Sequence, residues 1–192
     1  MGRVAAVLRG LAAGAVGWTA AEYGVHRWVM HGRHTTNPVT AEHLDHHRHL
    51  ERTYPLAFDR FLWWPAAGGL LVGVPTAVLR SVPTGIGAGA GFAASYCAYR
   101  QVHWLIHHRA PRTRVGRWLR RHHFRHHAGS PRGNHGVTTP LWDVVLRTRR
   151  PDAGPVELSR GMAPPWLLDE QGRVRPELER DLTLRPGTRQ GP

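Results

Sequence analysis

Three long apolar runs punctuate an otherwise polar chain. Residues 4–21 are small and apolar, broken only by Arg9. Residues 61–79 carry no charge over 19 positions. At about 1.5 Å per residue a helix of that length spans roughly 28 Å, close to a hydrocarbon core. Residues 82–99 form another uncharged run, separated from the previous one by Arg80 and Ser81 alone. The pair predicts a membrane helical hairpin, with Pro65, Pro75 and Pro83 tolerable in a membrane bundle. The first run has the look of a leader, with Arg3 ahead of it and small residues behind. The later spans favour a first membrane helix instead, running through Glu22 and Tyr23 toward His26. Within residues 85–91, GIGAGAG resembles a dinucleotide loop, but no strand precedes it. Small residues that let helices approach closely are the better account.

The polar segments are dense in histidine. Four groups stand out: His26-x4-His31, His43-x2-His46-His47, His103-x3-His107 and His123-x2-His126-His127. On a helix, positions i, i+3 and i+4 share a face, whereas adjacent residues diverge by about 100°. An HxxHH group therefore lets one imidazole serve one ion and its neighbour a second. Two such groups facing each other, with HxxxH beside them, predict a site for two metals. His26 and His31 are spaced more loosely, as suits a helix end where the chain turns away. Residues 115–127 read as a cytoplasmic helix ending near Gly129. Beyond about residue 151 the chain is rich in Pro, Gly and charge and reads as a mostly irregular tail, with Trp166, Leu167 and Leu168 as a small anchor. The expected division is 1–150 as the membrane and metal domain and 151–192 as tail.

Composition narrows the chemistry. The 192 residues suffice for one domain. All 26 basic residues are Arg, and the formal net charge is +13. Such a balance suits nucleic acid or an anionic lipid surface. No zinc-finger spacing, RNA-binding aromatic motif or helix-turn-helix pattern accompanies it, so nucleic acid is set aside as a partner. The Arg residues flank apolar runs instead. Those after the first and third runs far outnumber Arg3, Arg9 and Arg80 on the other side, so the positive-inside rule puts every His group and the C-terminus in the cytoplasm. Cys97 is the only cysteine, which removes thiolate sites and CxxC redox chemistry. Nitrogen and oxygen ligands leave Fe, Zn, Cu, Ni or Mn open. His34, His49, His108, His122 and His135 fall outside the four groups; His34 and His108 read as ordinary interfacial residues.

These groups resemble the fatty acid hydroxylase / sterol desaturase superfamily. The matching elements, over roughly residues 20–148, read EYGVHRWVMHG from Glu22, HLDHH from His43, HWLIHH from His103 and RRHHFRHH from Arg120. NHGVTTPLWDVVLRT follows from Asn134, and its N-x-G-V-T-x-x-L-W-D pattern is the most specific. The resemblance implies an all-α membrane bundle of about three spans with a cytoplasmic, His-rich helical cap around a dinuclear site. It implies two Fe ions, with Zn able to replace them on purification, and O2 as co-substrate. The implied reaction is hydroxylation or desaturation of a lipid carbon chain. His26, His31, His43, His46, His47, His103, His107, His123, His126 and His127 carry over as ligand candidates. Glu22, four residues before His26, is a candidate to orient a ligand ring; Asn134 reads either as a hydrogen-bond partner of a ligand or metal-bound water or as a turn residue before Gly136; Asp45 and Asp143 read as caps or surface charges. The chain lacks an appended cytochrome b5 domain, so the electron donor is expected to be separate, of ferredoxin or cytochrome b5 type with a reductase. The setting implied is a bacterial plasma membrane. HRWVMHG also resembles carotene hydroxylases of the same superfamily, so a carotenoid ring is the alternative substrate. A non-catalytic His-rich metal-binding or transport protein is the rival outside it, disfavoured because a transporter would hold ligands near mid-membrane.

Overall fold

The computed structural model describes residues 2–32, 37–58, 63–129, 132–151 and 153–185. His34 lies outside the described residues. Helix α1 (Arg3–Gly24) continues without a break into a π-helical turn, Val25–Met30. Helix α2 (Pro38–Arg48) starts at Asn37, whose side chain accepts from the Thr40 amide at 3.0 Å, with Pro38 at the first helical position. Helices α3 (Trp63–Leu79) and α4 (Val82–His108) form the expected hairpin around Arg80 and Ser81. Ser81 caps α4, accepting from Thr84. Helix α5 (Arg114–Ala128) is capped by Thr113, and a short α6 (Leu141–Val145) follows. The chain is thus predominantly helical.

Helix α4 is the central rod. Its 27 residues extend about 40 Å, so the third apolar run and the third His group belong to one helix. Helices α1 and α3 both pack along it. Glycine makes the α1–α4 approach possible: a Cβ at Gly14 would overlap the Ala88 carbonyl, and one at Gly87 would overlap that of Val7. GIGAGAG is therefore a packing seam. Gly14→Leu is expected to force the two helices apart and destabilise the protein by about 1–3 kcal/mol. Thermal unfolding of the purified variant checks this; an unchanged midpoint would show that the seam can open freely.

The outward faces of these helices stay apolar. Leu71, Val78 and Leu79 are each more than three-quarters exposed. The continuous helix Arg3–Met30 is long and apolar enough, by length and composition, to cross a membrane; α3 is apolar but shorter.

The described part of the tail is mostly turns and carries one element the sequence does not announce, a short strand pair. Short turns link two strands, β1 (Val156–Leu158) and β2 (Leu182–Leu184), paired in parallel with Val156 opposite Leu182. A wholly helical chain is therefore not what forms. Leu158, Leu167 and Leu182 are buried with Ile106, Phe124 and Val137 in one core. That core underpins the ends of α4 and α5. Trp166 donates from its indole to the His107 carbonyl at 2.6 Å. The buried Arg120 guanidinium donates to the carbonyls of Leu105, Ile106 and Arg109 and closes the end of α4.

Candidate metal centre

The ten imidazoles named by their spacing converge in two groups of five. His26, His31, His43, His47 and His126 form one; His46, His103, His107, His123 and His127 form the other. Within each, one ligand atom per residue lies within 4.8 Å of all the rest. The adjacent pairs divide as helical geometry requires. His46 and His47 point into different groups, and so do His126 and His127. The π-helical turn that extends α1 serves the first group and α4 the second, while α2 and α5 serve both.

The π-helical turn explains His26 and His31. Over five residues an α-helix rotates about 500°, which would leave the two rings roughly 140° apart. Here the His31 amide bonds to the His26 carbonyl at 3.2 Å, an i→i+5 link that returns the fifth residue to nearly the same face. Their ring centroids stand 5.2 Å apart. The spacing looked loose only on an α-helical ruler.

The donor sets fit metal ions. In the first group, Nε2 of His31 lies 2.8 Å from that of His43 and 2.9 Å from that of His126. In the second, Nε2 of His123 lies 3.1 Å from His103, 3.0 Å from His107 and 2.9 Å from His127. Two nitrogens about 2.1 Å from one ion and at right angles to it stand about 3 Å apart, which matches. Both ring nitrogens of His46 are buried without a hydrogen-bond partner. A buried polar atom in that state is costly unless something satisfies it. Burial also keeps the rings in the neutral form that binds metals. Loss of solvation drives His46 down to about 3, and the same cause takes His47 to about 3 and His31 to about 4.

A loop following α5 orients the first group. His126 donates from Nδ1 to the Gly133 carbonyl at 2.9 Å, and His26 Nδ1 does so to the His135 carbonyl. Each bond fixes a tautomer and turns the Nε2 lone pair inward. The carboxylates that hold this loop are both buried. Asp143 accepts from the His135 amide at 2.9 Å, the Gly136 amide at 2.8 Å, Thr148 Oγ1 at 2.7 Å and His122 Nε2 at 3.3 Å. Burial alone would raise its pKa, but these donors outweigh that and hold it at about 2. Glu22 accepts from the Val137 and Thr138 amides at 2.6 and 3.0 Å, and from Thr138 Oγ1 at 2.5 Å.

Glu22 thus ties α1 to the loop, and among the described residues its bonds reach that loop rather than a ligand ring. Asn134 is likewise a backbone brace. It sits at φ 58°, donates to the His122 carbonyl at 3.1 Å and accepts from the Arg150 amide at 2.8 Å. Its left-handed conformation is one that Asn tolerates. Asp143, read as a cap or surface charge, is the loop's central acceptor. Only its place at the end of the N-x-G-V-T-x-x-L-W-D pattern hinted at this. Asp45 is exposed and pairs with Arg52 at 2.9 Å. His108 bonds Thr53 at 2.9 Å, away from the cages.

A cavity of about 340 Å³ opens beside both groups. His26, His43, His46 and His103 line one end; Trp18, Leu71 and Phe92 line the other. Tyr99 lies between, its ring stacked on His103 at 5.8 Å. Glu42, Arg52, Thr53 and Arg100 add polar groups near the histidines.

Helices that bring two five-histidine groups to one end of a largely apolar cavity define a class, helical proteins able to hold two metal ions beside an apolar pocket. The particular family follows from comparison. A family model for fatty acid hydroxylases matches residues 11–148, and the chain belongs to that family. It is 30% identical over 135 residues to the dihydroceramide fatty acyl 2-hydroxylase FAH1 of Arabidopsis thaliana, covering 68% of this chain and 56% of that protein. It is 25% identical over 142 residues to the fatty acid 2-hydroxylase of Homo sapiens, covering 70% and 38%. Among solved structures, full-length scs7p, with only its hydroxylase domain visible, matches with a TM-score of 0.57 and 25% identity over 81% of this chain and 60% of that one. The chain therefore spans about half the length, or less, of these curated relatives. None of these matches supports the carotenoid alternative.

Proposed function

We propose that this protein is an O2-dependent hydroxylase of a fatty acyl chain, working at the cytoplasmic face of a membrane. The observation that carries the reading is the opening of one apolar cavity onto both histidine cages. In this reading the ten imidazoles hold two iron ions. When bound, those ions would supply reductive activation of O2 and hydrogen removal from an unpolarised C–H bond, which no acid or base side chain achieves.

The chain's own groups do the rest. Neutral rings leave the site without ligand carboxylates. The Gly133 and His135 carbonyls aim His126 and His26. The apolar walls seat a hydrocarbon and exclude water, while polar groups near the histidines favour a chain lying with its polar end there. The names of the relatives favour hydroxylation over desaturation.

The membrane placement rests on the apolar outward faces of α1, α3 and α4, read as three spans around which the His-rich cap sits. The Arg asymmetry sets the orientation. The electrons come from a separate donor of ferredoxin or cytochrome b5 type with its reductase. Residues 1–150 are proposed as the catalytic domain. A transport role is disfavoured, because the ligands cluster at one end of the helices and are not strung along a path.

The test is comparative lipid mass spectrometry of cells with and without the gene. A fatty acyl species heavier by one oxygen is expected. A species lighter by two hydrogens would replace hydroxylation with desaturation, and no lipid difference would defeat the assignment.

A further inference from the structure

We propose that the Phe92 ring closes the far end of this cavity and sets the longest acyl chain the site accepts; the inference rests on the acyl-hydroxylase reading. Phe92 projects from α4, the back wall of the cavity. Its ring fills the space left by a glycine on each neighbouring helix. A Cβ at Gly68 of α3 would stand 2.7 Å from the ring, and one at Gly17 of α1 would stand 3.9 Å away. Trp18 packs edge-on against it, with ring centroids 5.3 Å apart. One side chain thus spans from the first wall to the second. Along α4, no residue that lines the cavity lies farther from the histidines than Phe92.

The geometry gives the stop a length. Phe92 precedes His103 by eleven residues on one helix, about 16 Å. A staggered hydrocarbon advances roughly 1.3 Å per carbon. About twelve carbons therefore fit between the histidines and the ring. Up to that length each added methylene should strengthen binding about fourfold. Beyond it the gain should stop, because the Phe92 ring, with Trp18 edge-on to it, occupies the gap between Gly17 of α1 and Gly68 of α3.

The experiment measures binding of a graded series of saturated fatty acids to the full-length detergent-purified protein, by displacement of a fluorescent fatty acid. Chain lengths of hydroxylated lipids from cells give a second readout. In the natural protein the gain should level off at the predicted length. Phe92→Ala should move that limit up by about three to four carbons, the depth of the ring, and Phe92→Trp should move it down. Ala21→Phe, which fills the cavity nearer the histidines, should shorten it further. If Phe92→Ala does not fold, Phe92→Leu and Phe92→Trp decide the matter. The proposal is overturned if the natural limit survives these Phe92 changes, or if affinity keeps rising past it. Should the natural protein bind no fatty acid and form no hydroxylated lipid, the acyl-hydroxylase reading itself fails and takes this inference with it. A measurable limit unmoved by Phe92 removes the gate alone.

Discussion

His126→Ala is expected to abolish turnover and to lower bound metal from about two ions per chain toward one. His126 is one of five rings in the first cage, with Nε2 2.9 Å from that of His31 and 3.1 Å from that of His47. Its Nδ1–H is committed to the Gly133 carbonyl, so the ring cannot turn to another partner. Alanine removes the inward lone pair and leaves the carbonyl without its donor. His127→Ala should strike the other cage, since that ring faces His46 and His123. Elemental analysis of the purified variants, together with their hydroxylase activity, separates the two cases. Full activity and undiminished metal in His126→Ala would take this residue out of the site.

Asp143→Asn carries the second largest expectation, although Asp143 touches no proposed ligand through its side chain. Four donors converge on its two oxygens, two of them amides of the loop that orients the cage. An amide of the same shape turns one acceptor into a donor and aims it at donors already there. The loop at residues 133–136 must then move, and with it the carbonyls that hold His126 and His26. Losing an outer partner of a ligand typically costs about 10–100-fold in metal affinity or activity. A fully buried carboxylate lost from its donors adds roughly 1–3 kcal/mol of instability. Chelator competition gives the first quantity and thermal unfolding the second. Wild-type values for both would mean that the loop holds its shape without the carboxylate.

The readable parts of the site were those with a short helical repeat. His43, His46 and His47 lie on α2, and His123, His126 and His127 on α5, so i, i+3 and i+4 arithmetic already implied a division between two ions. The pair at 26 and 31 was harder, because a π-helical turn has no reliable sequence mark and the α-helical ruler misplaces it. The partners of Glu22 and Asp143 are not legible in the sequence for a different reason. Their partners are backbone amides more than a hundred residues away for Glu22, and in an irregular loop for Asp143. No local pattern records where a buried carboxylate will find its donors.

The packing of the tail was not legible for a similar reason. Its Pro and Gly content argued for irregular structure, yet Leu158, Leu167 and Leu182 find cover against α4 and α5.

The inventory is legible in the sequence: ten imidazoles at ligand spacing, apolar runs sized for helices, and a small-residue run at 85–91 suited to close helix contact. Assembly in three dimensions adds the pairing of rings into cages, the loop that aims two rings of the first cage and the ring at the far end of the cavity. Helical periodicity is written in neighbouring residues and can be read from them. Which helix faces which is set by packing between distant segments, where side chains compete for the same volume and buried polar atoms must each find a partner.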